Sequence, residues 1–382
     1  MLISLIAIFV SVAALSSVAL FFRQPLILVY ILVGACLGPY ALGYIGDPKD
    51  IGEIGEIGVI FLLFIVGLDL PPKKLFTTLA SVSIVALASS AIFFVIGITT
   101  GYILELTPFE CVILGIGCMF SSTVLSIKLL PTTVLHHRYT GQLVIGLLLF
   151  QDVIAILALI YLYVSIPQEE AIVPWYMTLG LVPVLFIAAF LGSKYVLWPL
   201  LRKFDVYTDF VVLLVLGWCL LVAGVSYKLG LGLELGAFIS GVALANTPAA
   251  QSIAQNLAIL RDFFLVLFFF SVGAGIDFQV AWQVIIPILV LSAVLIVAKP
   301  VVFYGLLRLQ KESRQISKEV GFRLGQCSEF SLLILFIAQA YMSAEATHVL
   351  LGAVVLTIIV STYGVVFQYK SPMAAFDRLR VD

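Results

Sequence analysis

Charged residues are scarce in this chain: Asp, Glu, Lys and Arg make up only 11% of its 382 residues, whereas 63% of the residues are hydrophobic. A soluble globular protein carries about a quarter of its residues as charged side chains. The scarcity therefore excludes a water-soluble globule and indicates a protein that lies in a lipid bilayer. We predict membrane lipid as a partner and no nucleic-acid partner.

Several other features are also missing. The five cysteines show no CxxC or Cys/His spacing, so we interpret them as small apolar fillers rather than metal ligands or disulfides. No G-x-G-x-x-G fingerprint is present, and no cofactor is predicted. The first apolar stretch lacks the basic region of a cleavable signal peptide and is followed by Arg23, which predicts a retained span.

Long apolar runs dominate what is present, and they are continuous rather than alternating in polarity. A spanning helix needs about 20 mostly apolar residues, whereas a membrane barrel would show alternating segments of roughly 10 residues. The sequence therefore predicts an all-α polytopic membrane protein with about thirteen transmembrane helices. The predicted spans are 1–22, 26–46, 52–70, 78–104, 108–130, 141–166, 172–200, 209–228, 231–246, 257–279, 281–308, 320–343 and 346–369.

The basic residues are distributed unequally between the predicted loops. Nearly all of them, including those after the last span, fall on one side of the membrane, and only Lys49 and Lys228 lie in loops on the other side. The positive-inside rule then predicts an external N-terminus and a cytoplasmic C-terminus, as an odd number of spans requires.

The two halves of the chain resemble each other at a constant offset. Gly34 matches Gly241 and Ser121 matches Ser328 in register, and Asp69 matches Asp277 one residue further on. Each partner lies seven predicted spans later and so crosses in the opposite direction. Inverted repeats of this kind are typical of secondary transporters, whose sites lie near the membrane midplane.

Asp152 is the strongest candidate site residue, because it lies midway along a predicted span with apolar residues after it. A charged side chain at a helix centre costs about 2.5 to 3.5 kcal/mol on insertion scales, so it calls for a function. A buried carboxylate can hold a proton or a monovalent cation but rarely both, which is the chemistry of antiport. Gln151 and the hydroxyls of Ser121, Ser122 and Thr123 are predicted to complete an oxygen shell for K⁺ or Na⁺.

Other ionisable residues lie in or near the spans. Lys299 is predicted to face the core and to interact with Asp152, while Glu329, beside Ser328, pairs with Arg323 or with an exposed helix end. For the remainder we expect lesser roles: Glu234 in a vestibule or helix cap, Asp69 and Asp277 at interfaces, and His348 near an outer boundary. His136, His137 and Arg138 are predicted to be solvated loop residues.

Four motifs together resemble the monovalent cation/proton antiporter-2 family, Kef-type branch, over essentially the whole chain. They are Phe120 to Lys128 (FSSTVLSIK), Leu149 to Asp152 (LFQD), Leu235 to Gly241 (LGAFISG) and Gly325 to Phe330 (GQCSEF). The resemblance implies an antiporter fold in which two broken helices cross at the ion site, with Asp152 carrying the ion and Lys299 as the nearby basic residue. It also implies a homodimer in a bacterial inner membrane.

The resemblance further implies a division of the chain into domains. Residues 1–77 and 209–280 would form a dimerisation scaffold, 78–166 and 281–369 a moving transport core, and 167–208 a linking helix. Residues 370–382 would be a cytoplasmic tail that begins a linker to an absent nucleotide-binding regulatory domain.

The expected activity is exchange of K⁺ for H⁺ by alternating access, because Gln151-Asp152 resembles the potassium branch. An Na⁺/H⁺ antiporter of the same fold is the first alternative. A channel is less favoured, since it needs a continuous pore. An intramembrane aspartyl protease using Asp69 or Asp277 with Asp152 is disfavoured by the missing G-x-G-D spacing, so we predict that the chain is not an enzyme.

Overall fold

The structure is a computed structural model that describes residues 2–22, 24–45, 48–68, 72–130, 139–165, 175–204, 206–245, 247–248 and 250–371. These described residues form eighteen α-helices. In chain order they are α1 (Leu2–Phe21), α2 (Leu26–Leu37), α3 (Pro48–Leu68), α4 (Pro72–Ile103), α5 (Pro108–Met119), α6 (Thr123–Lys128), α7 (Tyr139–Ser165), α8 (Trp175–Gly192), α9 (Trp198–Lys203), α10 (Thr208–Lys228), α11 (Leu233–Ala245), α12 (Ala250–Asn256), α13 (Ala258–Ala274), α14 (Phe278–Gln283), α15 (Ile285–Leu309), α16 (Arg314–Arg323), α17 (Glu329–Ala338) and α18 (Ala344–Gln368).

The all-α fold agrees with the sequence analysis, because a bilayer offers no water to satisfy backbone groups and helices satisfy them internally. Every predicted span contains at least part of a helix. Within the described residues, eight helices are long and apolar enough to cross a membrane, namely α1, α3, α4, α7, α8 with its continuation through α9, α10, α15 and α18. Four shorter apolar helices accompany them, so thirteen crossings stays a prediction.

Two of the predicted spans are interrupted rather than continuous. In 108–130, residues 120–122 leave the helical conformation between α5 and α6, and we call α5, this break and α6 the first interrupted segment. In 320–343, residues 324–328 separate α16 from α17, and these form the second interrupted segment. A serine in extended conformation caps the helix after each break: the Oγ of Ser122 accepts from Leu125 N, and that of Ser328 from Phe330 N.

Two compact units emerge from the packing of the chain. The first comprises Met1–Tyr44, Thr77–Ala158 and Val272–Asp382. In it α15 packs on α16 and α18, and α17 packs on α5. Glycines permit close backbone approach of α4 and α5, since a Cβ on Gly97 would lie 2.6 Å from Gly115 Cα. This unit contains both interrupted segments and most of α7.

The second unit comprises Ile45–Phe76 and Leu159–Ser271. Its main packing joins α3 to α11, where Gly67 and Gly241 let the two backbones meet. Apolar side chains such as Phe64, Val215 and Leu257 fill its core. The division into scaffold, core and linker domains stays a prediction.

Candidate functional site

Asp152 lies midway along α7 with only 7% of its surface exposed. The hydroxyl of Thr123, the first residue of α6, donates to the carboxylate at 3.1 Å from Oδ1 and 3.3 Å from Oδ2. Thr123 is brought there because the first interrupted segment breaks directly before it. The structure therefore places a carboxylate and a hydroxyl together at a helix interruption, which is the oxygen chemistry that a hard monovalent cation requires.

Gln151 is fully buried beside Asp152, and its described hydrogen bonds serve the break. Its Oε1 accepts from the backbone N–H of Ser121 at 3.0 Å, and its Nε2 donates to the carbonyl of Met119 at 3.4 Å. An unsatisfied backbone group in a buried site costs about 1 to 3 kcal/mol. Gln151 thus stabilises the extended backbone, and a direct role as cation ligand stays a prediction.

The other two predicted hydroxyl ligands are also engaged. Ser121 Oγ donates to the carbonyl of Leu324 at 2.9 Å, which joins the two breaks, and Ser122 caps α6. Of the four oxygen ligands predicted around Asp152, Thr123 is the one with a described bond to the carboxylate.

Lys299 is completely buried on α15. Its Nζ donates to the carbonyl of Phe120 at 2.6 Å and to that of Gln326 at 3.3 Å, and it lies 5.0 Å from the centre of the Phe93 ring. Phe120 is the residue after α5, so its carbonyl belongs to the negative end of that helix. One ammonium thus bridges both interrupted segments; its predicted interaction with Asp152 stays a prediction.

Polar side chains that the sequence analysis did not single out join the breaks further. Gln326 Nε2 donates to Ser126 Oγ at 2.7 Å, and Ser361 donates to Gln326 Oε1 at 2.9 Å. The Thr357 hydroxyl accepts from the backbone N–H of Cys327 at 3.1 Å. Gln326 stands inside a motif noted in the sequence, but its partners are distant along the chain and no local pattern identifies them.

Glu329 and Arg323 do not share a described ion pair. Arg323 binds Glu319, with Nη2 at 2.9 Å from Oε1, while Glu329 is the first residue of α17 beside its cap Ser328. Glu329 thus lies at a helix end, and its predicted pairing stays a prediction. A carboxylate in the first turn of a helix is stabilised by the helix dipole.

The weaker candidates have other described surroundings or lie outside the described residues. Asp277 caps α14, and its backbone N–H donates to His348 Nε2 at 2.9 Å. Glu234 lies in the first turn of α11. Asp69, His136, His137 and Arg138 lie outside the described residues. Among the residues that are described, no group of three or more His, Cys, Asp or Glu side chains is suited to hold a metal ion.

Comparison with known proteins bears on this arrangement. The family profile described as "Sodium/hydrogen exchanger, transmembrane" matches residues 5–368, which is nearly the whole chain. The chain belongs to the sodium/hydrogen exchanger family. It is therefore a transporter and not an enzyme, and it is a cation/proton antiporter.

Two solved structures of one archaeal protein resemble the fold of this exchanger. The sodium proton antiporter MjNhaP1 from Methanocaldococcus jannaschii at pH 8 is 16% identical, with a TM-score of 0.68, over 94% of this chain and 93% of that one. An electron microscopy map of the same antiporter gives 15% identity and a TM-score of 0.64, over 95% and 96% of the two chains. At this identity the likeness concerns the fold alone.

Membership of the exchanger family refines the sequence analysis. Cation/proton antiport is supported, whereas the Kef-type branch is not, and the sodium alternative fits the family better than potassium. The apolar helices and the family together make the chain an integral membrane protein.

Proposed function

We propose that the chain exchanges Na⁺ for H⁺ across a membrane, with Asp152 and Thr123 as the ion site. The observation that carries the proposal is the buried carboxylate of Asp152, which accepts a hydrogen bond from the hydroxyl of Thr123 at the start of α6. The family match supports sodium as the cation. Potassium, which the Gln151-Asp152 pair suggests by resemblance, is the competing substrate.

Competition for one carboxylate explains the coupling. When protonated, Asp152 is neutral and has no net charge with which to hold a cation; when ionised, its oxygens and the Thr123 hydroxyl attract Na⁺. A dehydrated cation needs further oxygen ligands, which the backbone carbonyls of the break and water can supply. Because either ligand neutralises the site, the carboxylate is not left charged in a poorly solvated place.

Lys299 contributes the positive charge next to the two helix breaks. Its ammonium remains close to the carbonyls of both breaks in the described contacts, where it offsets their partial negative charge. If that charge is kept throughout the cycle, one proton exchanges for one cation and transport is electroneutral. The same proposal includes alternating access by movement of the core and a homodimeric assembly. It also includes an inner-membrane location with an external N-terminus.

The test is exchange in proteoliposomes that contain a pH-sensitive dye. Addition of Na⁺, Li⁺ or K⁺ should change the internal pH with Na⁺ most effective, and Asp152→Asn should abolish the response. Asp209→Asn, which alters an exposed carboxylate of α10, is the matched control and should exchange like the parent. A response to K⁺ alone would replace sodium by potassium. Full exchange by Asp152→Asn would refute the site.

A further inference from the structure

Arg323 is one of the largest fully buried side chains of the described residues, with 1% of its surface exposed. The ion site does not use it. Its Nε and Nη2 donate to Glu319 Oε1 at 3.0 and 2.9 Å, one turn earlier on α16. Its Nη1 donates to the carbonyl of Leu129 at 3.1 Å, and Nη2 also donates to the carbonyl of Lys370 at 2.9 Å. The guanidinium thus joins three separate parts of the chain.

The bonds of Arg323 depend on the shape of its head group. A guanidinium is planar and always charged, and it points its donors in several fixed directions. An ammonium at the same place keeps the charge but cannot reach Glu319 and two carbonyls in different directions. Arg323 and lysine are therefore not equivalent here, even though the charge is the same.

The segment after α18 packs closely around this guanidinium. The ring of Tyr369 lies 5.8 Å from the Arg323 guanidinium and 5.8 Å from the ring of Phe322. Ser371 is completely buried. Residues 369–371, which we call the C-terminal strap, are therefore a packed part of the unit.

Arg323 is also connected to the proposed ion site through α6. Its backbone carbonyl accepts from Ser126 on α6 at 3.1 Å, and its side chain holds Leu129, which directly follows α6. With six residues, α6 is only about 9 Å long at 1.5 Å per residue. Thr123, which binds Asp152, is its first residue. A shift at Leu129 therefore moves the hydroxyl of the ion site.

We propose that Arg323 makes the C-terminal strap a control element, such that displacement of residues 369–371 releases α6 and slows exchange. Arg323 binds the backbone carbonyl of Lys370, not its side chain. The contact therefore depends on the backbone position of the C-terminal strap and not on the identity of the Lys370 side chain. Arg323 is a positioning residue that acts through α6 and Thr123. The effect on exchange rests on the proposed function, but the effect on α6 does not.

The test displaces the strap without altering a buried side chain. Two glycines are inserted between Gln368 and Tyr369, and the control carries the same insertion between Ala374 and Ala375. Hydrogen exchange of residues 123–130 is measured in the full chain, together with Na⁺-driven proton movement in proteoliposomes. The first insertion should raise deuterium uptake in 123–130 and lower the maximal rate about tenfold, the effect of losing a charged hydrogen bond. The control should match the parent.

A second pair of variants separates the strap from general damage. Arg323→Lys should reproduce the first insertion, with higher deuterium uptake in 123–130, a lower maximal rate and a raised apparent KM for Na⁺, because a displaced Thr123 contributes less to the ion site. Arg314→Lys, on the exposed surface of α16, should behave like the parent. Parent-like deuterium uptake in both the first insertion and Arg323→Lys would overturn the proposal. If the parent transports no cation, the proposed function fails. The deuterium-uptake data then still show whether the C-terminal strap holds α6 in place.

Discussion

In the first interrupted segment the residue after the capping serine is Thr123, and in the second it is Glu329. The local structure is the same in both: an extended serine caps the following helix with its hydroxyl. Thr123 donates to a carboxylate on another helix, whereas Glu329 carries a carboxylate itself at the start of α17. The equivalent places of the predicted inverted repeat thus carry different side chains, and the described hydroxyl bond to Asp152 comes from the first.

The two breaks also differ in the hydrogen-bond partners that surround them. Around the second break, Gln326, Ser126, Ser361 and Thr357 bind one another or the backbone. Around the first, Gln151 holds the backbone, and Thr123 donates to the Asp152 carboxylate. The second break is therefore held by a polar framework, the first contains the proposed ion site, and Lys299 contacts both.

Loss of the shared ammonium should have the largest effect. Lys299→Met leaves the carbonyls of Phe120 and Gln326 without their donor, and each buried unsatisfied carbonyl costs about 1 to 3 kcal/mol. We expect a fall in apparent Tm of about 5 °C or more and loss of exchange. Lys228→Met, at the exposed end of α10, is the control. Unchanged thermal unfolding of purified Lys299→Met would contradict a bridging role.

Removal of the hydroxyl at the first break should come next. Thr123→Val keeps the side chain's shape but loses the donor to Asp152, and the apparent KM for Na⁺ should rise about tenfold, equal to about 1.4 kcal/mol of binding. Thr123→Ser restores the hydroxyl and should stay near the parent. Initial rates at several Na⁺ concentrations distinguish the two, and an equal KM for both variants would remove Thr123 from the site.

A substitution of Gln151 distinguishes a role in holding the backbone from a role as a cation ligand. Gln151→Leu leaves the backbone N–H of Ser121 unsatisfied, so the maximal rate should drop several-fold, by about 1 kcal/mol in the barrier. The ratio of Na⁺ to K⁺ rates should be unchanged, because the amide serves the backbone. A changed ratio in paired flux measurements would show that the amide contacts the ion.

The smallest effect is expected at the equivalent place of the second break. Glu329→Gln removes one charge from the first turn of α17, where a helix dipole stabilises a carboxylate by about 0.3 to 1 kcal/mol. The apparent KM for Na⁺ should change less than about twofold, a difference under 0.5 kcal/mol. A rise as large as that of Thr123→Val, measured side by side, would make the two breaks functionally alike and break the comparison.

The all-α membrane fold could be predicted from the sequence, and so could a candidate for the site. Long apolar runs predict helices because a bilayer admits few other structures, and an isolated Asp152 within one of them indicates a function. The Gly97–Gly115 approach and the Gln326–Ser126 bond join residues far apart in the chain, so no local pattern reveals them. The potassium prediction depended on Gln151 by resemblance, and the sequence did not show that its amide holds the backbone of Ser121.

The most direct test of the account is whether cation binding displaces a proton from Asp152. Purified protein in a weakly buffered detergent solution is titrated with NaCl while a pH dye records released protons, with choline chloride as the ionic-strength control. The account predicts release of about one proton per bound Na⁺, since a single carboxylate holds either ligand, and none from Asp152→Asn. Sodium binding by the parent without proton release, or equal release by Asp152→Asn, would contradict competition at this residue.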